Sequence, residues 1–147
     1  MISGRVKLTE AAGLARQFVA TSGTGHHFLI DDAAGNTGAK PIELVAIALA
    51  GCTAFDVINI LRKKRQQVTG YEVQVEAGQA PNPPQVFTNV RIHHILTGND
   101  ISGQAVEDAI RLSEEKYCSV GAMVKQTAEL HTTFEIVSAL EPTTVGA

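Results

Sequence analysis

The sequence predicts an α+β fold in which antiparallel sheets surround one long buried central helix. Three features of the chain predict it. From Pro41 to about Gln66 the apolar residues fall on every side of a helix, which is the pattern of a helix covered all round. Two later runs, Tyr71–Glu76 and Val86–Leu96, alternate polar and apolar as half-buried strands do. Three short strand-like runs separated by glycine-bearing turns precede the helix. The length of 147 residues, with 44% hydrophobic and 18% charged, fits a single core. One domain is expected over residues 1–137, followed by a frayed tail over 138–147. With no Trp and 5% aromatic residues, that core is built mainly from Val, Ile, Leu and Ala.

Taken in order, Arg5–Leu8, Arg16–Thr21 and His27–Asp31 read as an antiparallel meander, with turns at Ala12-Gly13 and Ser22–Gly25. Asp32 to Lys40 is a loop, and Pro41 sits where proline suits a first helical turn. The helix that follows carries Leu44, Val45, Ile47, Leu49, Phe55, Val57, Ile58, Ile60 and Leu61. It closes on Arg62-Lys63-Lys64-Arg65, cations placed at the negative end of the helix dipole, a solvated turn in preference to a nucleic-acid contact. Pro81-Asn-Pro-Pro84 forces the loop between the two alternating strands, which pair as a hairpin. Ser102 caps a helix with Val106, Ile110 and Leu112 on its buried face, ending near Lys116. A short helical piece over Ser119–Gln126 and a closing strand over Ala128–Val137 complete the chain. An apolar helix of more than twenty residues needs more cover than these elements supply, so an obligate homodimer with an interface above about 2,000 Å² is expected.

The formal net charge is −3, which gives no global field toward nucleic acid or an anionic membrane. The N-terminal residues alternate and lack the apolar stretch of a secretory signal, so a cytoplasmic location is expected. Leu44 to Phe55, 12 residues before Asp56, is too short to cross a hydrocarbon layer of about 30 Å.

Chemistry concentrates on two cysteines. In a reducing compartment a permanent bridge is disfavoured, so Cys52 and Cys118 are either inert buried thiols or redox-active ones. They stand 66 residues apart, and spacing alone does not pair them. Gly51 thins the helix beside Cys52, at about 1 kcal/mol of helix propensity, and permits close approach of another backbone or a small substrate. A helix beginning at Ser119 would lower the pKa of Cys118 through its dipole. His26-His27 and His93-His94 are neighbours on strands and point to opposite faces, which does not suit a shared metal ion. Ser22–Gly25 lacks the Gly-Lys-Ser or Gly-Lys-Thr of a phosphate loop. No cofactor and no metal are expected.

Pro41-Ile-Glu-Leu-Val, Ala50-Gly-Cys52 and Tyr117-Cys-Ser-Val-Gly-Ala-Met123, in this order of elements, resemble the OsmC/Ohr family of osmotically induced and organic hydroperoxide resistance proteins. The likeness runs from the first strands to about Val137 and is nearest to an uncharacterised OsmC-like branch. It implies an intertwined homodimer with cysteine sites at the subunit interface. It further implies that Cys52 is oxidised by an organic hydroperoxide, that Cys118 resolves it, and that an external dithiol restores both. Family peroxidases place a glutamate directly after the proline of the central helix, oriented by an arginine. Here Ile42 takes that place and Glu43, the third candidate catalytic residue, follows it. Nine residues of regular helix set Glu43 about 13.5 Å along and about half a turn away from Cys52, so it can serve that thiol only across a dimer. The alternatives are a non-enzymatic dimer that binds a small apolar ligand or senses redox state, and a structural or nucleic-acid-interacting dimer using Arg62–Arg65. The expected partners are a second copy, a hydroperoxide or other small apolar ligand, and a dithiol reductant, with no nucleic acid and no membrane.

Overall fold

Each N-terminal run forms a strand: β1 over Gly4–Leu8, β2 over Phe18–Ser22 and β3 over His27–Ile30. They make an antiparallel sheet in the order β1-β2-β3, with Val6 opposite Ala20 and Ala20 opposite Phe28. The β2–β3 turn needs glycine at Gly25, whose φ of 89° lies in the left-handed region. The computed structural model describes residues 1–10 and 16–139, so the expected Ala12-Gly13 turn and most of the expected tail lie outside the described residues. Backbone proximity divides the chain into two compact units, Met1–Val45 and Ala46–Ala147.

In the first unit the loop after β3 is organised by Asp31. Its carboxylate accepts from the Thr37 hydroxyl, from the Asp32 amide at 2.7 Å and from the Thr37 amide at 3.2 Å. These bonds, the Thr37 hydroxyl first, hold Asp31 below the usual carboxylate range. The loop delivers the chain to Pro41, the first residue of α1, which runs Pro41–Lys63. The Lys40 amide donates to Glu43 Oε1 at 2.9 Å, a first-turn carboxylate satisfying an N–H that the helix leaves open.

The second unit contains most of α1 and the larger sheet. Leu49, Ala50, Thr53, Val57 and Leu61 form one buried stripe of α1. Ile47 and Phe55 remain 56% and 78% exposed, so burial of the helix is one-sided within a single chain. The sequence expectation of cover on every side is met on one face alone, the face that packs into the core of the second unit. The expectation that the apolar segment is too short for a bilayer also needs correction. All 23 residues of α1 are helical and its apolar window has a mean hydropathy of 2.1, so length does not exclude a span. What marks α1 as the core helix of a globular fold is its packing. Val57 and Leu61 join Leu96, Ile101, Val106, Ala109 and Ile110 in one cluster, with Tyr71 and Phe134 against it.

The sheet of this unit has the order β4-β5-β6. β4, Gln67–Gln79, and β5, Phe87–Asn99, form the expected antiparallel hairpin, both strands longer than their alternating centres. The third strand, β6 over Glu129–Ser138, pairs with β5 in parallel, with Ile92 opposite Thr132 and His94 opposite Phe134. That corrects the expectation of antiparallel pairing throughout while leaving the α+β class intact. The helical segment between β5 and β6 carries the chain back to the end of the sheet where β5 began, as a parallel crossover requires.

The crossover begins with α2, Gly103–Leu112, capped by Ser102, whose hydroxyl accepts from the Ala105 amide at 3.2 Å. The sequence predicts that this helix continues to Lys116. Instead Ser113–Tyr117 winds as a wider π turn, closed by the Cys118 amide donating to the Ser113 carbonyl at 2.8 Å. A short helix, α3 over Ser119–Val124, follows at once. His93 and His94 do point to opposite faces of β5. His93 Nδ1 meets the Thr133 hydroxyl at 2.7 Å, whereas His94 is fully buried with Nδ1 2.6 Å from the Tyr71 hydroxyl.

Candidate functional site

The second unit brings the two cysteines together. Cys52 lies mid-way along α1, and Asp56 follows one helical turn later on the same face. Cys118 is the N-cap of α3, its sulfur accepting from the Gly121 amide at 3.2 Å. The Cys52 sulfur, the Cys118 sulfur and a carboxylate oxygen of Asp56 all lie within 4.8 Å of one another. Both thiols are free, Cys52 half-buried and Cys118 buried. Gly121 makes room for this arrangement, since a Cβ there would sit 3.1 Å from the Cys118 sulfur. Two thiols and a carboxylate are three donors where a closed zinc site uses four, and we assign them no metal.

The surroundings of Cys118 act on its thiol. Burial pushes the Cys118 thiol up to about 11, and its hydrogen bond with Cys52 adds to the rise. The Gly121 amide pulls in the opposite direction and is outweighed. The expectation that a helix start lowers this thiol is therefore overturned: α3 is two turns long at most, and its sulfur has left water.

A polar network holds Asp56 beside the sulfurs. Ser113 Oγ lies 2.9 Å from Asp56 Oδ2 and 3.0 Å from Thr53 Oγ1. Ser113 Oγ is placed to donate to either oxygen, and the carboxylate, which can only accept, is the partner that requires its single proton. Ser113 is fully buried. Ser113 continues the buried Val106, Ala109 and Ile110 face of α2, and the π turn that begins with it brings Cys118 to the start of α3 five residues later. An open cleft of about 400 Å³ adjoins the network, lined by Asp56, Lys63, Lys64, Leu112 and Tyr117 among others.

The third candidate is placed differently. Glu43 is exposed in the first turn of α1 and accepts from the Lys40 amide. Ile42 lines a separate cavity of about 560 Å³ within the first unit, together with Phe18, Ile30, Arg16 and Lys40. Arg16 Nε is 3.0 Å from Asp32 Oδ2 in that cavity, so the arginine there has a carboxylate partner other than Glu43. The close neighbour expected at Gly51 is not found among the described residues, since a Cβ there would meet nothing within 4 Å. Sequence reasoning missed Asp56, Thr53 and Ser113. The four-residue step from Cys52 to Asp56 was a usable signal, because such a step shares a helix face. Ser113 had one too, standing three residues after Ile110 and seven after Val106 on the buried face of α2.

The family described as OsmC-like protein matches residues 34–133, more than half of the chain and inclusive of Cys52, Asp56 and Cys118. The chain belongs to the OsmC family. Protein YhfA of Escherichia coli (strain K12) is 38% identical over 138 residues, which cover 94% of this chain and 100% of that protein. Among solved structures, a hypothetical protein from Aquifex aeolicus VF5 is 27% identical with a TM-score of 0.82, covering 94% of this chain and 97% of that one. The organic hydroperoxide resistance protein OhrB of Bacillus subtilis has the same fold at a TM-score of 0.61 and 15% identity, covering 92% and 98% of the two chains. This OsmC-family chain carries Cys52 and Asp56 on α1 and Cys118 at the start of α3.

Proposed function

We propose that the protein reduces organic hydroperoxides by a two-cysteine cycle, carried by one observation: the Cys52 and Cys118 sulfurs lie within 4.8 Å of each other while both remain free thiols. Cys52, the more accessible of the two, attacks the peroxide. Its thiolate sulfur takes the terminal oxygen, the O–O bond breaks, and the alcohol leaves with a proton, so sulfur is oxidised to sulfenic acid as the peroxide is reduced. Cys118 then displaces the sulfenic oxygen as water and forms a disulfide, which requires the sulfurs to close to about 2.05 Å. An external dithiol, available in a cytoplasmic setting, reduces that disulfide and becomes oxidised itself. The test is mass spectrometry of both cysteines after one equivalent of an organic hydroperoxide, followed by a dithiol chase. Disulfide formation and its full reversal are expected. Thiols untouched by hydroperoxide would leave the family resemblance without this activity and favour ligand binding or redox sensing.

The reading includes a homodimer. Ile47, Phe55 and Met123, on the two helices that carry the cysteines, are 56%, 78% and 70% exposed. A second copy covering them would remove a large apolar patch from water and give the site aliphatic walls suited to an apolar peroxide. Light scattering should give twice the 15.6 kDa chain mass, and Phe55→Glu should shift the protein toward monomer. A compact wild-type monomer at micromolar concentration would contradict this.

Glu43 keeps a catalytic place only if the partner's copy reaches Cys52. Its bond to the Lys40 amide accounts for it as a helix-start carboxylate. Glu43→Gln should therefore leave peroxide reduction unchanged, and a large loss in steady-state rate would return it to the site.

A further inference from the structure

We propose that Asp56 is the base that takes the proton from the Cys118 thiol as Cys118 attacks oxidised Cys52, and that it returns this proton to the departing oxygen. The inference rests on the two-cysteine reading above and concerns its second step. That step has a chemical difficulty. Thiolate is the nucleophile in thiol exchange, yet Cys118 is the buried partner, shifted toward the neutral thiol by loss of water and by the adjacent Cys52. A neutral thiol in that position needs its proton removed locally.

Asp56 meets the geometric requirement. One of its oxygens lies within 4.8 Å of both sulfurs, and the hydroxyl of fully buried Ser113 fixes Oδ2 at 2.9 Å. A carboxylate has about four acceptor positions, so the Ser113 bond leaves capacity for a thiol proton. The other neighbours are unsuited. Thr53 and Ser113 are hydroxyls that already bond each other, and the Tyr71 phenol, raised by burial and by the charge of Asp56, stays protonated. Lys63, the last residue of the helix that carries Asp56, and Lys64 just beyond it line the adjoining cleft with Asp56 and Tyr117.

The step balances as follows. The Cys118 S–H bond breaks and its proton passes to the Asp56 carboxylate. The electron pair freed on Cys118 forms the S–S bond, and the Cys52 S–O bond breaks with its pair on oxygen. The leaving hydroxide takes the proton from Asp56 and departs as water. Cys118 is oxidised, the sulfenic sulfur of Cys52 is reduced, and Asp56 ends as it began.

The step can be started without peroxide. Reduced protein treated with one equivalent of 5,5′-dithiobis(2-nitrobenzoate) releases a first coloured thiolate as the accessible Cys52 takes up 5-thio-2-nitrobenzoate, and attack by Cys118 then releases the second, whose rate is the one followed. In the wild type, release should be nearly independent of pH across the neutral range, because the proton passes to Asp56 during the attack and prior ionisation of the Cys118 thiol is not needed. Asp56→Asn, which can still accept from Ser113, should slow release about 100-fold at neutral pH, with a rate that climbs about tenfold per pH unit. Ser113→Ala keeps the carboxylate and should cost less than about tenfold. Release from Asp56→Asn at the wild-type rate would overturn the proposal, as would an equal loss in Ser113→Ala. A wild-type rate that rises tenfold per pH unit would overturn it without any variant, which covers the case in which Asp56→Asn does not fold. If release follows Asp56 while hydroperoxide leaves Cys52 unoxidised, the peroxidase reading fails and the assignment of Asp56 stands.

Discussion

Cys52→Ser should consume no organic hydroperoxide above background, a loss of roughly a thousandfold or more, since removal of a reacting nucleophile leaves only binding and solvent chemistry. Cys118→Ser should behave in a different way. Its Cys52 can still take one oxygen, so the first equivalent of hydroperoxide is reduced and the cycle then stalls. With dimedone present an adduct at Cys52 should accumulate, and without it excess hydroperoxide should carry the sulfenic acid to sulfinic acid, because the thiol that normally intercepts it is gone. The separation of the sulfurs is what makes the two variants diverge, as each thiol is the nearest reaction partner of the other. Multiple turnovers by Cys52→Ser, or an unstalled Cys118→Ser with no other thiol present, would contradict the assignment. Intact-mass measurement at sub-stoichiometric, equal and excess hydroperoxide distinguishes all of these outcomes.

The second large effect is on stability and comes from the sheet. His94 is fully buried on β5, its Nδ1 is held by the Tyr71 hydroxyl, and its Nε2 has no hydrogen-bond partner among the described residues. Burial lowers its pKa to about 4, with a smaller contribution from His93. The unfolded chain carries an ordinary histidine near 6.5 and so binds the proton more readily than the native protein. The stability this group contributes is whole above the unfolded pKa and is lost as pH falls from about 6.5 toward 4. The loss should reach about 2 to 3 kcal/mol between roughly pH 7 and pH 4, read as a fall in the urea midpoint. Asp31, Asp32 and Asp108 are held below their usual range, so their contributions persist until lower pH. Replacing both partners, as Tyr71→Phe with His94→Leu, should flatten the acid limb in that window. An equally steep limb in the double variant would show that His94 does not govern it.

The strongest apolar and alternating patterns were legible in the sequence. Leu49, Val57 and Leu61 packed as a helix core, and Val90, Ile92 and Leu96 took the inward side of β5 because period-2 alternation leaves one register that buries them. The direction of β6 was not legible, since alternation is the same in a parallel and an antiparallel partner. The open side of α1 was not legible either, because a helical wheel shows which residues want cover but not which chain supplies it. For the site, the pairing of Cys52 with Cys118 came from family likeness, as 66 intervening positions say nothing about proximity. Asp56 was within reach of local reasoning at four residues from Cys52. Ser113 was within reach as well, since ordinary helical phase from Val106 and Ile110 puts it on the buried face of α2; the π turn after it, which resets that phase before Cys118, was not.

That phase has a consequence for how sequences of this stretch should be compared. An α-helix advances about 100° per residue, and a π turn accommodates one residue more than an α turn does. Deleting a single residue between Ser113 and Cys118 would let the turn relax to α geometry, and everything after it would be swung by about that angle. The sulfur would leave the face of α1 even though Cys52, Cys118 and the residues around each were still present. The reactive pair is therefore specified by a residue count as well as by residue identity. A gap placed at this point of an alignment is a change of chemistry, whereas the same gap in the Pro81–Pro84 loop is only a change of length.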